Sequence, residues 1–307
     1  MDRRTLLQGA LGGLIGASAV RLARAAASVQ PAGIVHLSDG MAVLTGLKDN
    51  VIALSTPDGW LLVDSGTPGH TEALLGALRR LGGRSNVHTL LNTHWHLDQT
   101  GSNEALGRAG AKIIAQAKTR AWISTDHWNP SQERYIKALP KPAWPTEVFY
   151  SGGALDAGAE HIDYGYLVEA HTDGDAYYRF RKANVLAAGH VVSPVKDPEL
   201  DWFGGGWLGG RLDALAKLYK LADDQTKVVP AYGPVVSRAA IKAEHDMLKV
   251  LYTRMVDLLR KGYSAQDMVN AGVMNGLNRT WQDPKKFVYA AFKGLWGHED
   301  ELAPNIV

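Results

Sequence analysis

The sequence contains no cysteine, so neither disulfide bonds nor thiolate metal ligands are available to the chain. An oxidising compartment is therefore neither required nor excluded by cysteine usage. Any metal site in this protein has to be built from other side chains, and its eleven histidines are the scarce residues that could supply one.

A strong excess of one charge is also missing. The formal net charge is +2 over 307 residues, and the first 27 residues carry a net +3 through Arg3, Arg4, Arg21 and Arg24 against Asp2, which leaves about −1 for the remainder. No basic excess remains to attract nucleic acid or anionic lipid. We therefore expect a small-molecule substrate and no nucleic-acid partner.

The chain also lacks an internal repeat of about 20–50 residues and any linker rich in Ser, Pro or Gly. Hydrophobic residues make up 46% of the sequence, enough to bury a substantial core. Strand-like and helical patterns alternate along it. We predict a single α/β domain over residues 28–307.

The N-terminal residues 1–27 have the layout of a secretory signal peptide. A charged start precedes an apolar run at Leu6–Val20, which is short for a membrane span, and Ala-x-Ala steps follow within Ala23–Ala27. Arg3–Arg4 resembles a twin-arginine signal. We predict export to the periplasm and no membrane association once the signal is cleaved, with an uncleaved anchor as the alternative.

Apolar residues that alternate with polar ones predict strands, and apolar residues at helical spacing predict helices. Strands are predicted at 41–47, 51–55, 60–64, 87–92, 164–170, 176–180, 184–189 and 227–233, the last as a strand plus turn. Helices are predicted at 70–81, 211–222, from about 236 onward and at 283–298. The Pro- and Trp-rich stretch 128–145 is predicted to be an irregular surface segment or lid.

The stretch NTHWHLDQTG, residues 92–101, follows the apolar run of a predicted strand. His94, His96 and Asp98 alternate in it, so their side chains can point to one side of an extended loop. Two imidazoles and an oxygen ligand suit a divalent metal such as zinc. His171 and His190 also stand at the ends of predicted strands, where they could join such a site.

Five ordered stretches resemble the metallo-β-lactamase-fold hydrolases: LLVDSG (61–66), THWHLDQTG (93–101), AHTDGD (170–175), NVLAAGH (184–190) and VVPAYGPV (228–235). The resemblance implies an αββα four-layer sandwich with the metal site at one edge of two packed sheets, here with extra C-terminal helices. It implies that His94, His96 and His171 hold a metal ion. It also implies that Asp64 steadies the loop that carries the first two ligands.

Three departures from the family pattern concern its second metal site. Gln99 replaces the last histidine of H-x-H-x-D-H, His190 stands where a metal-bridging aspartate is usual, and Tyr232 replaces the histidine of the PGHG turn. An amide and a phenol are poor zinc ligands, so of that second set only Asp98 remains. We predict one metal ion per chain, zinc with iron or copper as alternatives. His190 is either a fourth ligand or an acid/base group.

These residues favour a metal-dependent hydrolase acting on an ester, lactone, amide or thioester of a small molecule. Asp98, His190 and Tyr232 are the candidate catalytic residues, acting on water, the leaving group or the oxyanion. The alternative is a catalytically degenerate binding protein or structural subunit that partners an intact homologue. A third possibility is an enzyme of another class on the same scaffold.

Three further features bear on substrate and partners. Trp128, Trp144, Trp202 and Trp207 fall in irregular stretches and are predicted to line a pocket for a bulky apolar or aromatic substrate. The glycine-rich stretch 202–210 is predicted to be a flexible loop beside the site. The C-terminal helices could either cap the pocket or form a dimer interface. A homodimer is the partner state that the second alternative predicts, and a heteromer with a homologue is the one that the changed ligand positions predict.

Overall fold

The structure is a computed structural model, and it describes residues 31–82, 86–130 and 133–302. The predicted signal peptide, residues 1–27, lies outside the described residues. Within the described ranges, none of the helices combines the length and the apolar character that crossing a membrane requires.

Fourteen strands are present among the described residues. They are β1 (Gly33–Ser38), β2 (Met41–Leu47), β3 (Asp49–Thr56), β4 (Gly59–Val63), β5 (Val87–Leu91), β6 (Lys112–Gln116), β7 (His127–Asn129), β8 (Arg134–Ile136), β9 (Glu147–Phe149), β10 (Gly152–Ala157), β11 (Glu160–Tyr166), β12 (Ala176–Phe180), β13 (Val185–Gly189) and β14 (Lys227–Pro230).

These strands form two large sheets and a hairpin. The first sheet has the order β1-β2-β3-β4-β5-β6-β9, antiparallel up to β4 and parallel beyond it. The second has the order β10-β11-β12-β13-β14, and only its last pair is parallel. Strands β7 and β8 pair with each other. In the parallel pairs the carboxyl ends of neighbouring strands lie at the same edge of the sheet. The loops that follow β4, β5 and β13 can carry functional side chains there.

The helices of the described residues are α1 (Thr71–Leu81), α2 (Leu97–Thr100), α3 (Asn103–Arg108), α4 (Ala117–Ser124), α5 (Leu208–Leu221), α6 (Arg238–Arg260), α7 (Ala265–Asn270), α8 (Pro284–Gly297) and α9 (Glu299–Leu302). Helices α1 and α3 contribute apolar side chains to the outer face of the first sheet. Helices α5, α6 and α8 cover the outer face of the second sheet. The predicted C-terminal extension is therefore part of an outer helical layer.

Strand alternation explains the layering. Ile52 and Leu54 of β3 point between the sheets, while Val51 and Ala53 of the same strand point toward the helices, because successive side chains lie on opposite faces. The core between the sheets joins residues such as Leu61 to Tyr178 of the second sheet. The predicted αββα four-layer sandwich is confirmed.

Some element predictions are wrong in detail. The strand predicted at 164–170 ends at Tyr166, because Glu169 adopts a left-handed conformation with φ 49° in the turn that follows. Helix α5 begins at Leu208, earlier than predicted. Strand β10 was missed because its sequence GGALDA, at a sheet edge, shows little apolar alternation and is mostly exposed. The stretch 128–145 contains β8 and a 3₁₀ turn at Lys141–Ala143.

Candidate metal centre

The loop after β5 is tied to the end of β4 by one buried carboxylate. Asp64 accepts hydrogen bonds from the backbone N–H of Thr93 at 2.7 Å and from its hydroxyl at 2.8 Å. Asp64 itself has φ 63°, a conformation that aspartate tolerates better than most residues. As the resemblance implies, this contact holds the backbone directly before His94 in place.

His171 lies in the loop between β11 and β12, and a second buried carboxylate shapes that loop. Asp175 accepts from the backbone N–H groups of His171 at 2.6 Å and Thr172 at 2.8 Å, and from the Thr172 hydroxyl at 2.9 Å. Burial raises the pKa of Asp175 to about 7 against these hydrogen bonds, which lower it. This Asp175 is a turn-former around His171, a loop role typical of Asx side chains.

Hydrogen-bond partners determine the tautomers of His96 and His171. The Nδ1 of His171 donates to the carbonyl oxygen of Glu199 at 2.8 Å, since a carbonyl can only accept. The Nε2 of His96 donates to Oδ2 of Asp201 at 2.9 Å. The Nε2 of His171 is therefore unprotonated and faces Nδ1 of His96, the nitrogen of that ring not used for Asp201, at 3.1 Å.

Two imidazole nitrogens at this distance are stabilised by a cation between them, either the proton that His96 can hold or a metal ion that displaces it. Two nitrogen ligands of a tetrahedral zinc ion, each at about 2.0–2.1 Å, lie about 3.3–3.4 Å apart. His94 completes the group, and the ligand atoms of His94, His96 and His171 all lie within 4.8 Å of one another. The donor chemistry and the spacing of these three side chains fit one zinc-type ion.

The charges around the three imidazoles also suit a cation. Burial and the neighbouring histidines lower the pKa of His94 and His171 well below the ordinary value, so both rings are neutral. Burial lowers the pKa of His96 as well, but Asp201, Asp98 and Glu199 outweigh it and raise this pKa to about 9. The carboxylates that hold a proton on His96 would equally stabilise a metal ion, which displaces protons when it binds.

His190 follows Gly189 at the end of β13 and faces the same space. Its Nδ1 lies 3.4 Å from Nε2 of His94, and its Nε2 lies 3.8 Å from Oδ1 of Asp49 and 4.0 Å from Oδ2 of Asp98. Burial lowers the pKa of His190, but these carboxylates and Glu199 raise it above its ordinary value overall.

A second group that could hold a metal ion consists of His94, Asp98 and His190. It shares His94 with the first group. The Nδ1 of His94 lies 3.2 Å from the Thr93 hydroxyl, which leaves Nε2 as the nitrogen directed at the site. The two groups therefore adjoin at His94. The structure thus brings together all five residues predicted as ligands.

Gln99 and Tyr232 behave differently from ligands. Gln99 is fully buried on α2, and neither atom of its amide has a hydrogen-bond partner among the described residues. Tyr232 is 36% exposed, and the ammonium of Lys196 lies 3.5 Å from the centroid of its ring. An ammonium beside the phenol repels a second metal ion there.

We expect Gln99→Leu to leave the metal content unchanged, near one ion per chain. Leucine fills a similar buried volume without an oxygen or nitrogen, so the variant removes any ligand at this position and little else. The number of metal ions per chain is measured by mass spectrometry on the purified variant and on the parent protein. A lower metal content in the variant would show that Gln99 is a ligand.

A cleft opens beside His190. Its lining residues are Asp98, His190, Val192, Ser193, Lys196, Asp197, Glu199 and Tyr232. The three predicted catalytic residues thus share one cleft, which carries both signs of charge. None of the four tryptophans predicted to line a pocket is among these residues.

The prediction for Trp207 is wrong, because this side chain is buried in the core under the C-terminal helices. Its ring stacks on His298 with centroids 4.1 Å apart, so it stabilises the packing of α8. The indole N–H of Trp144 donates a hydrogen bond to the carbonyl oxygen of Leu139 at 2.6 Å. Irregular sequence around a tryptophan does not distinguish a pocket wall from a core contact.

The glycine-rich stretch predicted to be flexible is closely packed against the His171 loop. A Cβ at Gly206 would lie 1.9 Å from the carbonyl oxygen of His171, so only glycine fits there. The backbone N–H of Asp201 donates to that same oxygen at 2.9 Å. This contact brings Asp201 to its position beside His96.

Three residues that support the site were missed in the sequence. Asp49 faces His190, Asp201 binds His96, and the carbonyl oxygen of Glu199 binds His171. Metal-bound histidines commonly donate their second N–H to a carboxylate or a carbonyl. That rule predicts such partners, but only the fold shows which of the acidic residues supply them.

Comparisons with known proteins agree with this architecture. A metallo-beta-lactamase from Pontibacter korlensis is similar in structure, with 18% identity, a TM-score of 0.57, and coverage of 71% of this chain and 99% of that one. The DIM-1 metallo-beta-lactamase shows 17% identity, a TM-score of 0.57, and coverage of 72% and 98%.

A sec-alkylsulfatase from Pseudomonas sp. is also similar, with 14% identity and a TM-score of 0.63. The match covers 89% of this chain but 52% of that one, so this chain spans about half the length of the sulfatase. At these identities the similarity shows the fold.

No curated protein sequence matches the chain. The profile of the metallo-beta-lactamase superfamily matches residues 44–232, from β2 to the turn after β14, and this range contains all the histidines of the candidate metal centre. With more than half of its length matched by that profile, this chain belongs to the metallo-beta-lactamase superfamily.

Proposed function

We propose that this protein is a single-metal hydrolase of small molecules that carry an ester, lactone, amide or thioester. One observation carries the proposal: Nδ1 of His96 and Nε2 of His171, the ring nitrogens not used for Asp201 and Glu199, face each other at 3.1 Å with His94 beside them. This arrangement suits a bound cation, and zinc is the ion that imidazole donors in this geometry favour over harder metals.

A zinc ion held by these residues would act as a Lewis acid on the substrate carbonyl and would activate water. Asp98 lies beside the three imidazoles and would orient the attacking water and accept its proton. Burial first, then Asp49 and Glu199, raise the pKa of Asp98 against the lowering effect of His190 and His96. A raised pKa suits a carboxylate that takes up and releases a proton.

His190 and Tyr232 line the same cleft as Asp98. His190 is held by Asp49 and Asp98 and would either complete the metal ligands through Nδ1 or donate a proton to the leaving group. Tyr232 is partly exposed at the cleft, where its hydroxyl can donate a hydrogen bond to an oxyanion.

The proposal is tested by metal stoichiometry and hydrolysis on the same purified, natively exported sample. We expect close to one zinc ion per chain and turnover of at least one member of a panel comprising para-nitrophenyl acetate, a β-lactam, an aliphatic lactone and an acyl thioester. Removal of the metal with a chelator should abolish the turnover, and zinc should restore it. A ratio near two would contradict the single-metal site.

The changed second site also supports another candidate function, a non-catalytic subunit. The buried, unpartnered amide of Gln99 and the phenol of Tyr232 beside the Lys196 ammonium replace two family ligands. In that case the metal-loaded chain would hydrolyse nothing on the panel and would co-purify with a homologue that keeps every ligand. An active homo-oligomer or monomer would argue against this alternative.

We also propose that the protein is exported to the periplasm through its twin-arginine-like N-terminus. The layout of residues 1–27 supports this proposal. Replacing Arg3 and Arg4 together by lysine should retain the protein in the cytoplasm, as fractionation of its host would show. Unchanged export would contradict the twin-arginine route.

A further inference from the structure

The segment from His190 to Asp201, here called the pocket loop, connects β13 toward α5 and contains no helix or strand. It supplies His190, Ser193, Lys196, Asp197 and Glu199 to the wall of the cleft. A long connection without regular hydrogen bonds needs other contacts to keep one conformation. Some of those contacts come from Arg211 on α5, and others come from the connection between α7 and α8, which follows the family match.

Arg279, in the connection between α7 and α8, binds the backbone of the pocket loop. Its Nη2 donates to the carbonyl oxygen of Ser193 at 2.7 Å and also to that of Lys196. The guanidinium lies 5.5 Å from the centroid of the Trp281 ring, which helps to orient it. One planar side chain thus sets the distance between the two ends of a four-residue stretch of the cleft wall.

Asp197 makes the reciprocal contact from the loop to the connection. Its carboxylate accepts from the backbone N–H of Gln282 at 3.0 Å and from that of Asp283 at 2.7 Å. Asp283 is the N-cap of α8, so the loop is attached to the beginning of a helix that is anchored in the core. Charge-assisted bonds of this kind are stronger than neutral ones.

The contacts run between the loop and the connection in both directions, and on the loop they hold the carbonyl oxygens of Ser193 and Lys196 and the carboxylate of Asp197. The profile of the superfamily ends at residue 232, so residues 279–283 lie outside the part of the chain shared with the family. Neither a cap over the cleft nor a dimer interface is needed to explain them. They act on the position of the cleft wall.

We propose that residues 279–283 form a clamp that positions the pocket loop, and that Arg279 thereby helps to determine substrate affinity. Arg279 is a positioning residue, since it reaches the cleft only through the backbone of Ser193 and Lys196. This proposal rests on the proposed hydrolase function for its effect on KM. Its effect on the loop itself does not depend on that function.

The test compares Arg279→Gln with the parent protein in two measurements. With a substrate of the panel, KM should rise about tenfold while kcat stays within about twofold, because the displaced loop weakens binding and leaves the metal ligands in place. In hydrogen–deuterium exchange, peptides covering residues 191–201 should exchange about tenfold faster. Peptides covering residues 94–101 should be unchanged, and so should the zinc content.

In Arg279→Lys, KM and the exchange rate of residues 191–201 should lie between those of the parent and of Arg279→Gln. The ammonium can donate to the same carbonyl oxygens, but it lacks the planar fork of arginine. Arg260→Gln is the matched control: Arg260 is the last residue of α6 and, like Arg279, donates to a backbone carbonyl, that of Leu302. Asp197→Asn weakens the clamp from the other side, and because Asp197 also lines the cleft its readout is the exchange of residues 191–201, not KM. It serves if Arg279→Gln fails to fold.

The two proposals fail separately. If the parent protein hydrolyses nothing on the panel, the hydrolase proposal is wrong, and the exchange measurement alone decides on the clamp. If the parent is active and the variants change neither KM nor the exchange of residues 191–201, the clamp is wrong and the hydrolase stands. Faster exchange at an unchanged KM, or loss of zinc in Arg279→Gln, would also overturn the proposed role in affinity.

Discussion

Replacing His171 by alanine is expected to abolish stoichiometric zinc binding and to lower kcat/KM by about a thousandfold or more. A metal ion contributes several kcal/mol to transition-state stabilisation, and each 1.36 kcal/mol corresponds to about tenfold in rate. His171 is the most informative of the three imidazoles, because its loop is remote in sequence from His94 and His96. Its loss removes the ligand that joins the two sheets at the site.

The measurement is zinc content by mass spectrometry together with initial rates on the best substrate of the panel. His36→Ala is the control, since His36 is exposed on β1 at the edge of the first sheet. We expect it to keep both zinc and activity. If His171→Ala retained one zinc ion per chain and its activity, the proposed ligand set would be wrong.

The largest effect on stability is expected for Arg211→Met, which should lower the free energy of unfolding by about 3–5 kcal/mol. Arg211 is completely buried on α5 and donates to Oε1 of Glu244 on α6 at 2.8 Å. It also donates to the Ser193 hydroxyl at 2.9 Å and to the carbonyl oxygen of Glu199 at 3.2 Å. Removing it leaves the buried Glu244 carboxylate without its counter-charge.

The double variant Arg211→Met with Glu244→Met should recover much of this loss, because two apolar side chains leave no unpaired charge in the core. Urea unfolding of the zinc-loaded proteins gives the free energies. Arg181→Met is the comparison on the surface, where Arg181 binds Asp163 through two hydrogen bonds at 2.6 and 2.7 Å in contact with solvent. It should change stability far less.

If the double variant were as unstable as Arg211→Met alone, the cost would lie in the hydrogen bonds to Ser193 and Glu199 and not in the unpaired charge. That result is informative about the site, because the carbonyl oxygen of Glu199 also accepts from His171. Zinc affinity measured on both variants separates the two explanations. A loss of affinity shared by both would point to the Glu199 contact.

Much of the fold was predictable, because it depends on local patterns. Alternating apolar residues place β2, β3 and β4, and a leucine face places α1, since periods of two and 3.6 report on which side of an element is buried. The ordered motifs around His94, His171 and His190 predicted the sandwich and the ligands. Edge strands such as β10 were missed where exposure removes the alternation.

The sequence by itself determined the four-layer arrangement of sheets and helices and the identity of the candidate metal-binding histidines. Both depend on hydrophobic periodicity and residue chemistry, which are properties of short stretches. Only the tertiary structure decided which atoms meet: His96 pairs with Asp201, 105 residues away, and Arg279 binds Ser193 across 86 residues. Such contacts depend on how sheets and helices pack, and many acidic residues or carbonyl groups would satisfy the same local sequence. The tautomers of the histidines, the buried role of Trp207 and the clamp on the pocket loop therefore follow from packing.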